Sequence, residues 1–319
     1  MTDLRLAVAG NQWITRYLIG ALSESGFAPS LVINMGDHWA DRISGYMDLA
    51  RDAAGIGAKL YRPVKYSLKS AEDEAGLAAH DIDVLLAFGW QRLIPTWLIE
   101  RCGLGAFGVH GGPELPPRCR GRAGFNWAIL LGYDHFHMYA FRLAPGVDDG
   151  DIIGLASFDI LPQDDIATVY HKNCVVSTRL FLDIVANAKT GIPSGTPQAP
   201  EGATYLPKRS PENGGIDWGA PAKRIVDLVR ALAPPYPGAF SDIAGERVLF
   251  YRAQIFDTRI SYAGAPGTIV DVFPNGDFVV AATDGAIYVR EWNAAGAFNP
   301  RKGMIFDRVS GTPLPDPVL

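Results

Sequence analysis

The stretch VLLAFGWQRLIPTWLIERCGLGAFGVH, Val84 to His110, decides the fold. Val84–Phe88 is a short unbroken apolar run, the mark of a strand buried on both faces. GWQRLIP interrupts it, a helix follows from about Pro95 to Cys102, and Ala106–Val109 is apolar again. His110 then stands at the C-terminal end of that second run. Strand, helix and strand within so few residues predict a parallel pair joined by a crossover.

The same alternation continues towards the N-terminus. Leu4–Ala9 (LRLAVA) reads as a strand ending at Gly10. Trp13, Tyr17, Leu18, Ala21 and Leu22 recur at helical spacing, and Gly26 stops them. Leu31–Ile33 and Lys59–Tyr61 are further strands, separated by an expected helix over Asp41–Ala54. Ala71–Ala79 is helical and acidic on one side. Strands alternating with helices predict a doubly wound, mostly parallel sheet, which binds ligands beyond the carboxyl ends of its strands. His110 and Phe88-Gly89-Trp90 are expected there.

Towards the C-terminus the stretch Phe107–Gly154 concentrates the chemistry. After His110 come a Pro-rich loop bearing Arg118, Arg120 and Arg122, an apolar helix near Trp127, strands at Met138–Leu143 and Ile152–Phe158, and the acidic turn Asp148-Asp149-Gly150-Asp151. A histidine on one loop and an aspartate on another are the parts of a proton-handling pair. Thr168–Ala188 is a long amphipathic helix, ended by Gly191-Ile192-Pro193. Prolines and glycines then crowd Pro193–Gly215, which reads as a linker. A helix over Asp217–Ala231 precedes the short strands Glu246–Tyr251, Thr268–Val272, Phe278–Ala281 and Ile287–Val289, which predict a small open barrel or curled sheet.

The 319 residues exceed what one core usually supports, so two domains are expected. A net charge of −5 argues against an electrostatic nucleic-acid binder. Three scattered cysteines form no CxxC pair, and no signal-like or membrane-length apolar segment is present. A reducing, cytoplasmic setting is therefore expected. P-loop and G-x-S-x-G motifs are absent, and no dinucleotide site is expected. A metal site from His110, His135, His137 and Asp148 has no recognised ligand spacing, so no metal is expected.

Gly108-Val109-His110, Leu115-Pro116, Arg120-Gly121, Asn126-Trp127-Ala128-Ile129 and Val147-Asp148-Asp149-Gly150-Asp151 follow one another in fixed order. This series resembles the 10-formyltetrahydrofolate-dependent formyltransferases, both the methionyl-tRNA formyltransferases and the two-domain amino-sugar N-formyltransferases. Tyr205-Leu206-Pro207-Lys208, Gly215-Ile216-Asp217-Trp218 and Gly267-Thr268-Ile269 extend the likeness into the C-terminal part.

The resemblance implies an α/β, Rossmann-like N-terminal domain over 1–195, a linker over 196–214, and a smaller OB-like barrel over 215–319. It implies His110 and Asp148 as catalytic residues, with Gly108 at the family's Asn position. Phe88, Gly89, Trp90, Leu93 and Ile94 would face Leu143, Gly146, Val147 and Asp149 across the folate co-substrate. Arg118, Arg120, Arg122 and Tyr139 would line the acceptor side. The implied reaction moves a formyl group to a small amine, such as an amino sugar nucleotide or an amino-acid derivative. Initiator tRNA as acceptor, or a folate-binding homologue with impaired catalysis, are the alternatives.

Three departures stand out: Gly108 replaces the Asn, His137-Met138-Tyr139 replaces Gly-x-Thr, and Pro113 and Glu114 lengthen the loop after His110. Either the lost oxyanion donor is replaced by Tyr139, by a water in the room left at Gly108 or by a backbone N–H, or the enzyme is slow, altered or inactive.

Overall fold

The structure, a computed structural model, describes residues 4–121, 123–199, 201–260, 262–296 and 298–317. Its strands in chain order are β1 (Leu6–Ala9), β2 (Leu31–Ile33), β3 (Lys59–Tyr61), β4 (Ile82–Ala87), β5 (Cys102–Gly112), β6 (Arg120–Gly121) and β7 (His135–Arg142). There follow β8 (Ile152–Asp159), β9 (Tyr205–Leu206), β10 (Ala239–Ile243), β11 (Glu246–Asp257), β12 (Ile269–Val272), β13 (Phe278–Ala282) and β14 (Gly285–Ala294). The α-helices are α1 (Trp13–Glu24), α2 (Ala50–Gly55), α3 (Ala71–Ala78), α4 (Thr96–Glu100), α5 (Gly124–Leu130), α6 (Ile166–Ala188) and α7 (Ala222–Ala231).

The chain divides into two compact units. The first comprises residues 1–120, 137–158 and 172–203; the second comprises 121–136, 159–171 and 204–319. In the first unit a seven-stranded sheet has the order β3-β2-β1-β4-β5-β7-β8. The first five strands run parallel, and β7 joins β5 antiparallel. Leu6, Ala7, Val8, Ala9, Val84, Leu85 and Leu86 are all buried, as an unbroken apolar strand requires when both faces of the sheet are covered. The strand order reverses between β1 and β4, which puts Gly10 and Phe88-Gly89-Trp90 at the switch point where doubly wound sheets take ligands.

The expected helix over Asp41–Ala54 is not formed as one piece. A 3₁₀ segment occupies Asp37–Arg42 and α2 begins only at Ala50. Between them Gly45 adopts φ +69° and Asp48 is ion-paired to Arg62 at 2.6 Å, which hold the chain out of helical geometry. β5 is longer than the expected Ala106–Val109, because its pairing with β7 carries it on to Gly112. His110 is therefore inside the strand rather than at its end. Residues 103–108 spell G-x-G-x-x-G, yet these glycines lie within β5 and open no helix, so they do not form a dinucleotide fingerprint.

The second unit holds a five-stranded antiparallel sheet of order β10-β11-β14-β13-β12. Register shifts at Phe250/Arg252, Arg252/Ala253 and Ile255/Asp257 mark irregularities along β11, of the kind that bend a strand. Trp218, Phe250, Phe278 and Phe306 are buried and in mutual ring contact, forming the core of this sheet. The helix expected from Asp217 starts only at Ala222, after Pro221, whose ring suits a helix start but not its interior. Among the described residues no helix is long and apolar enough to cross a membrane.

Candidate active site

β5 and β7 are antiparallel neighbours, and their register sets His110 opposite Tyr139 and Gly108 opposite Phe141. The loop leaving β7 carries the acidic turn back towards β5. His110 Nδ1 lies 3.6 Å from Asp148 Oδ2, with the two side chains 16% and 22% exposed. That is an ion-pair distance, longer than a direct hydrogen bond. On its other edge His110 Nε2 is 3.2 Å from the Cys119 carbonyl oxygen. A carbonyl only accepts, so in the neutral ring this contact keeps the proton on Nε2 and leaves the Nδ1 lone pair on the Asp148 side. Asp148 itself adopts φ +53°, a left-handed conformation that Asp tolerates better than most residues.

Tyr139 is fully buried, its ring packed edge-on to His110 at 5.7 Å. Its hydroxyl has no hydrogen-bond partner among the described residues. Burial holds the phenol well above its ordinary pKa; the Asp148 carboxylate pushes it further up, and Arg120 partly opposes this. The group therefore remains a protonated donor at any physiological pH.

The room expected at Gly108 is not free for a water. A Cβ there would lie 2.9 Å from Leu143 Cδ2 and 3.5 Å from the Phe141 ring, so apolar side chains fill the direction an Asn would take. Leu143 is tied by its backbone N–H to the Ala106 carbonyl at 2.8 Å. Its side chain, like that of Trp90, packs against an apolar cluster of the first unit that includes Ile94.

The loop after β4 is firmly held. Thr15 Oγ1 donates to the Phe88 carbonyl at 2.6 Å, and Asn11 N–H donates to the Gly89 carbonyl at 3.2 Å. Phe88 is buried against Phe181 of α6, Trp90 packs edge-on to Tyr66, and Leu93 is exposed. In the acidic loop Val147 and Asp149 are exposed. A Cβ at Gly146 would lie 1.8 Å from Asp149 Oδ2, so a side chain there would require the Asp149 carboxylate to move.

The arginines separate. Arg118 is exposed, Arg122 lies outside the described residues, and Arg120 is only 6% exposed. Arg120 Nη2 donates to Gln198 Oε1 at 2.9 Å, and Gln198 Nε2 donates to the carbonyls of Asp148 and Gly150 at 2.9 and 2.8 Å. Gln198 sits in the Pro-rich segment read as a linker, where no periodicity or motif marks it. The residues of the conceivable metal set have separate partners: His135 with Asp134, His137 with Ser157, and His110 with Asp148. Among the described residues no three His, Cys, Asp or Glu side chains converge as a metal site would require. A cleft of about 790 Å³ in the second unit, lined by Lys223, Arg230, Tyr251 and Arg290 among others, contains none of the expected site residues.

Family models described as formyl transferase and formyl transferase C-terminal domain match residues 30–185 and 208–298. The chain belongs to the formyl transferase family. Solved structures share the fold of this formyl transferase at low identity. HypX from Aquifex aeolicus in complex with tetrahydrofolic acid is 19% identical with a TM-score of 0.64, over 92% of this chain and 45% of HypX. This formyl transferase thus spans less than half the length of HypX. An N-formyltransferase from Helicobacter canadensis, bound to folinic acid and dTDP-3-aminofucose, is 15% identical with a TM-score of 0.64, over 91% of this chain and 100% of its own. Methionyl-tRNA formyltransferase from Clostridium thermocellum is 17% identical with a TM-score of 0.55, over 79% and 93% of the two chains.

Proposed function

We propose that this formyl transferase moves the formyl group of 10-formyltetrahydrofolate to the nitrogen of a small-molecule amine. The observation that carries the reading is the approach of His110 to Asp148 beside the carboxyl-end loops of a doubly wound sheet. We assign the chemistry to residues 1–195, and read 196–214 and 215–319 as linker and accessory part. The folate would lie between Phe88–Ile94 and Leu143–Asp149.

The amine nitrogen attacks the formyl carbon, a tetrahedral oxyanion forms, and the bond from that carbon to the folate nitrogen breaks as the nitrogen takes up a proton. His110 Nδ1 accepts the proton that the amine loses, and the imidazolium so formed is stabilised by Asp148. Tyr139 donates to the oxyanion in place of the missing Asn side chain. Arg118 and Arg122 would meet the acceptor's anionic groups.

The test supplies 10-formyltetrahydrofolate with candidate amines and follows the appearance of tetrahydrofolate. His110→Ala and Asp148→Asn should each lower turnover by about 10²–10⁴ while folate affinity stays nearly unchanged. Tyr139→Phe should lower it by about 10²–10³. Full activity in the first two variants would overturn the assignment, and folate release without any amine would identify a hydrolase instead. Initiator tRNA is the competing acceptor, favoured by the fold shared with a methionyl-tRNA formyltransferase. An impaired, folate-binding role is favoured by the filled space at Gly108, and predicts no turnover in the wild type.

A further inference from the structure

The His110–Asp148 pair is closed into a ring of contacts by residues that the chemistry itself does not use. His110 Nε2 meets the Cys119 carbonyl at 3.2 Å. The next residue, Arg120, donates to Gln198 Oε1 at 2.9 Å. Gln198 Nε2 donates to the backbone carbonyls of Asp148 and Gly150, and Asp148 returns to His110. Every link of this ring lies in the first unit.

The orientation of the Gln198 amide follows from its partners. A guanidinium only donates, so it must face the amide oxygen; two carbonyls only accept, so they must face the NH₂ group. A flipped amide would set like against like on both sides. The segment bearing Gln198 has an anchor of its own, because Thr196 and Ile152 exchange backbone hydrogen bonds of 2.8 and 2.9 Å at the start of β8. The grip is needed at this point. Asp148 is held at φ +53°, off the ordinary backbone regions, and the loop around it offers few apolar contacts, with Val147 and Asp149 exposed.

We propose that Gln198, aligned by the buried Arg120, is a positioning residue that holds Asp148 in place against His110. Arg120 therefore acts inside the site wall and not on the acceptor. The proposal rests on the reading of His110 and Asp148 given above. Its logic is geometric: a catalytic carboxylate displaced by an ångström loses much of its effect on the ring it serves.

The informative variant is Gln198→Glu. A carboxylate there keeps, and charges, the contact to Arg120, but it has no proton to give the two carbonyls. Turnover is measured with 10-formyltetrahydrofolate and the amine giving the fastest tetrahydrofolate release, or hydroxylamine as a generic nucleophile. Gln198→Glu should lower kcat by about 10- to 100-fold, with the KM for folate changed by less than about threefold. In an Asp148→Asn background the same substitution should change kcat by less than about twofold, because the group it positions is already gone. Equal losses in both backgrounds, or an unchanged kcat in Gln198→Glu alone, would overturn the proposal and leave the His110–Asp148 assignment standing. Wild-type turnover in Asp148→Asn would remove that assignment and this proposal with it. Thermal melting of each variant checks folding, and Gln198→Met, of similar volume, carries the same comparison should the Glu variant fail to fold.

Discussion

Position 108 shows how a departure from the family pattern is absorbed. The chain carries Gly where the family resemblance calls for Asn, and the vacated direction is occupied by the end of Leu143, which would lie 2.9 Å from a new Cβ. A Gly108→Asn variant alone should therefore lose stability rather than gain activity, since its first side-chain atom is already too close to Leu143. Combined with Leu143→Ala the amide has room, and kcat should rise above that of Leu143→Ala alone by about tenfold or more if it then reaches the oxyanion. The comparison of kcat and melting temperature across the three variants checks this. The approach of His110 to Asp148 was legible in the sequence because the order of motifs around them is distinctive. The contacts of Leu143 and Gln198 were not, since neither lies in a motif and both act through residues far away in the chain.

Among the elements, β4 illustrates a strand whose start is fixed by charge. Arg5 gives Asp83 its backbone N–H at 2.8 Å and two guanidinium hydrogen bonds at 3.0 and 2.6 Å. The hydrogen bonds from Arg5 hold the Asp83 carboxyl below its usual pKa. A depressed carboxylate contributes stability above its unfolded pKa, and that contribution fades as pH falls through the lower folded value. Asp83→Asn should accordingly cost about 1 kcal/mol at pH 7, because the pair is partly solvated. The gap to wild type should close below about pH 4, as read by denaturant unfolding at several pH values. A gap that persists at low pH would mean that something other than the carboxylate's charge is lost. The buried strands of the first sheet could be read from the chain because each is a continuous apolar run. The strand Ala239–Ile243 (AFSDI) could not, because Ser241 and Asp242 break that run. Ser241 is nonetheless buried, its hydroxyl accepting from the Trp218 indole N–H at 3.0 Å.

The whole molecule carries a net charge of −5, which bears on the acceptor. An acceptor as small as an amino sugar makes few ionic contacts, and its turnover should change by less than about threefold between 50 and 200 mM salt. A tRNA acceptor held by 6–10 phosphate contacts would instead lose about 10³–10⁵ in affinity over the same range. Steady-state rates across that salt series separate a small amine from a tRNA by the steepness of the response. Both halves of the chain match formyl transferase models, so domain content does not separate the two acceptors.

The amino-acid order alone determined the alternation of strands and helices and the family. These follow from local patterns, since a buried strand must be apolar along its length and a motif keeps its spacing whatever surrounds it. Only the tertiary structure decided that Leu143 fills the space beside Gly108, that the Tyr139 hydroxyl lies buried next to His110, and that Gln198 clasps the acidic loop. Those facts depend on which distant residues pack together, and the free energy of packing belongs to the folded arrangement as a whole rather than to any one segment.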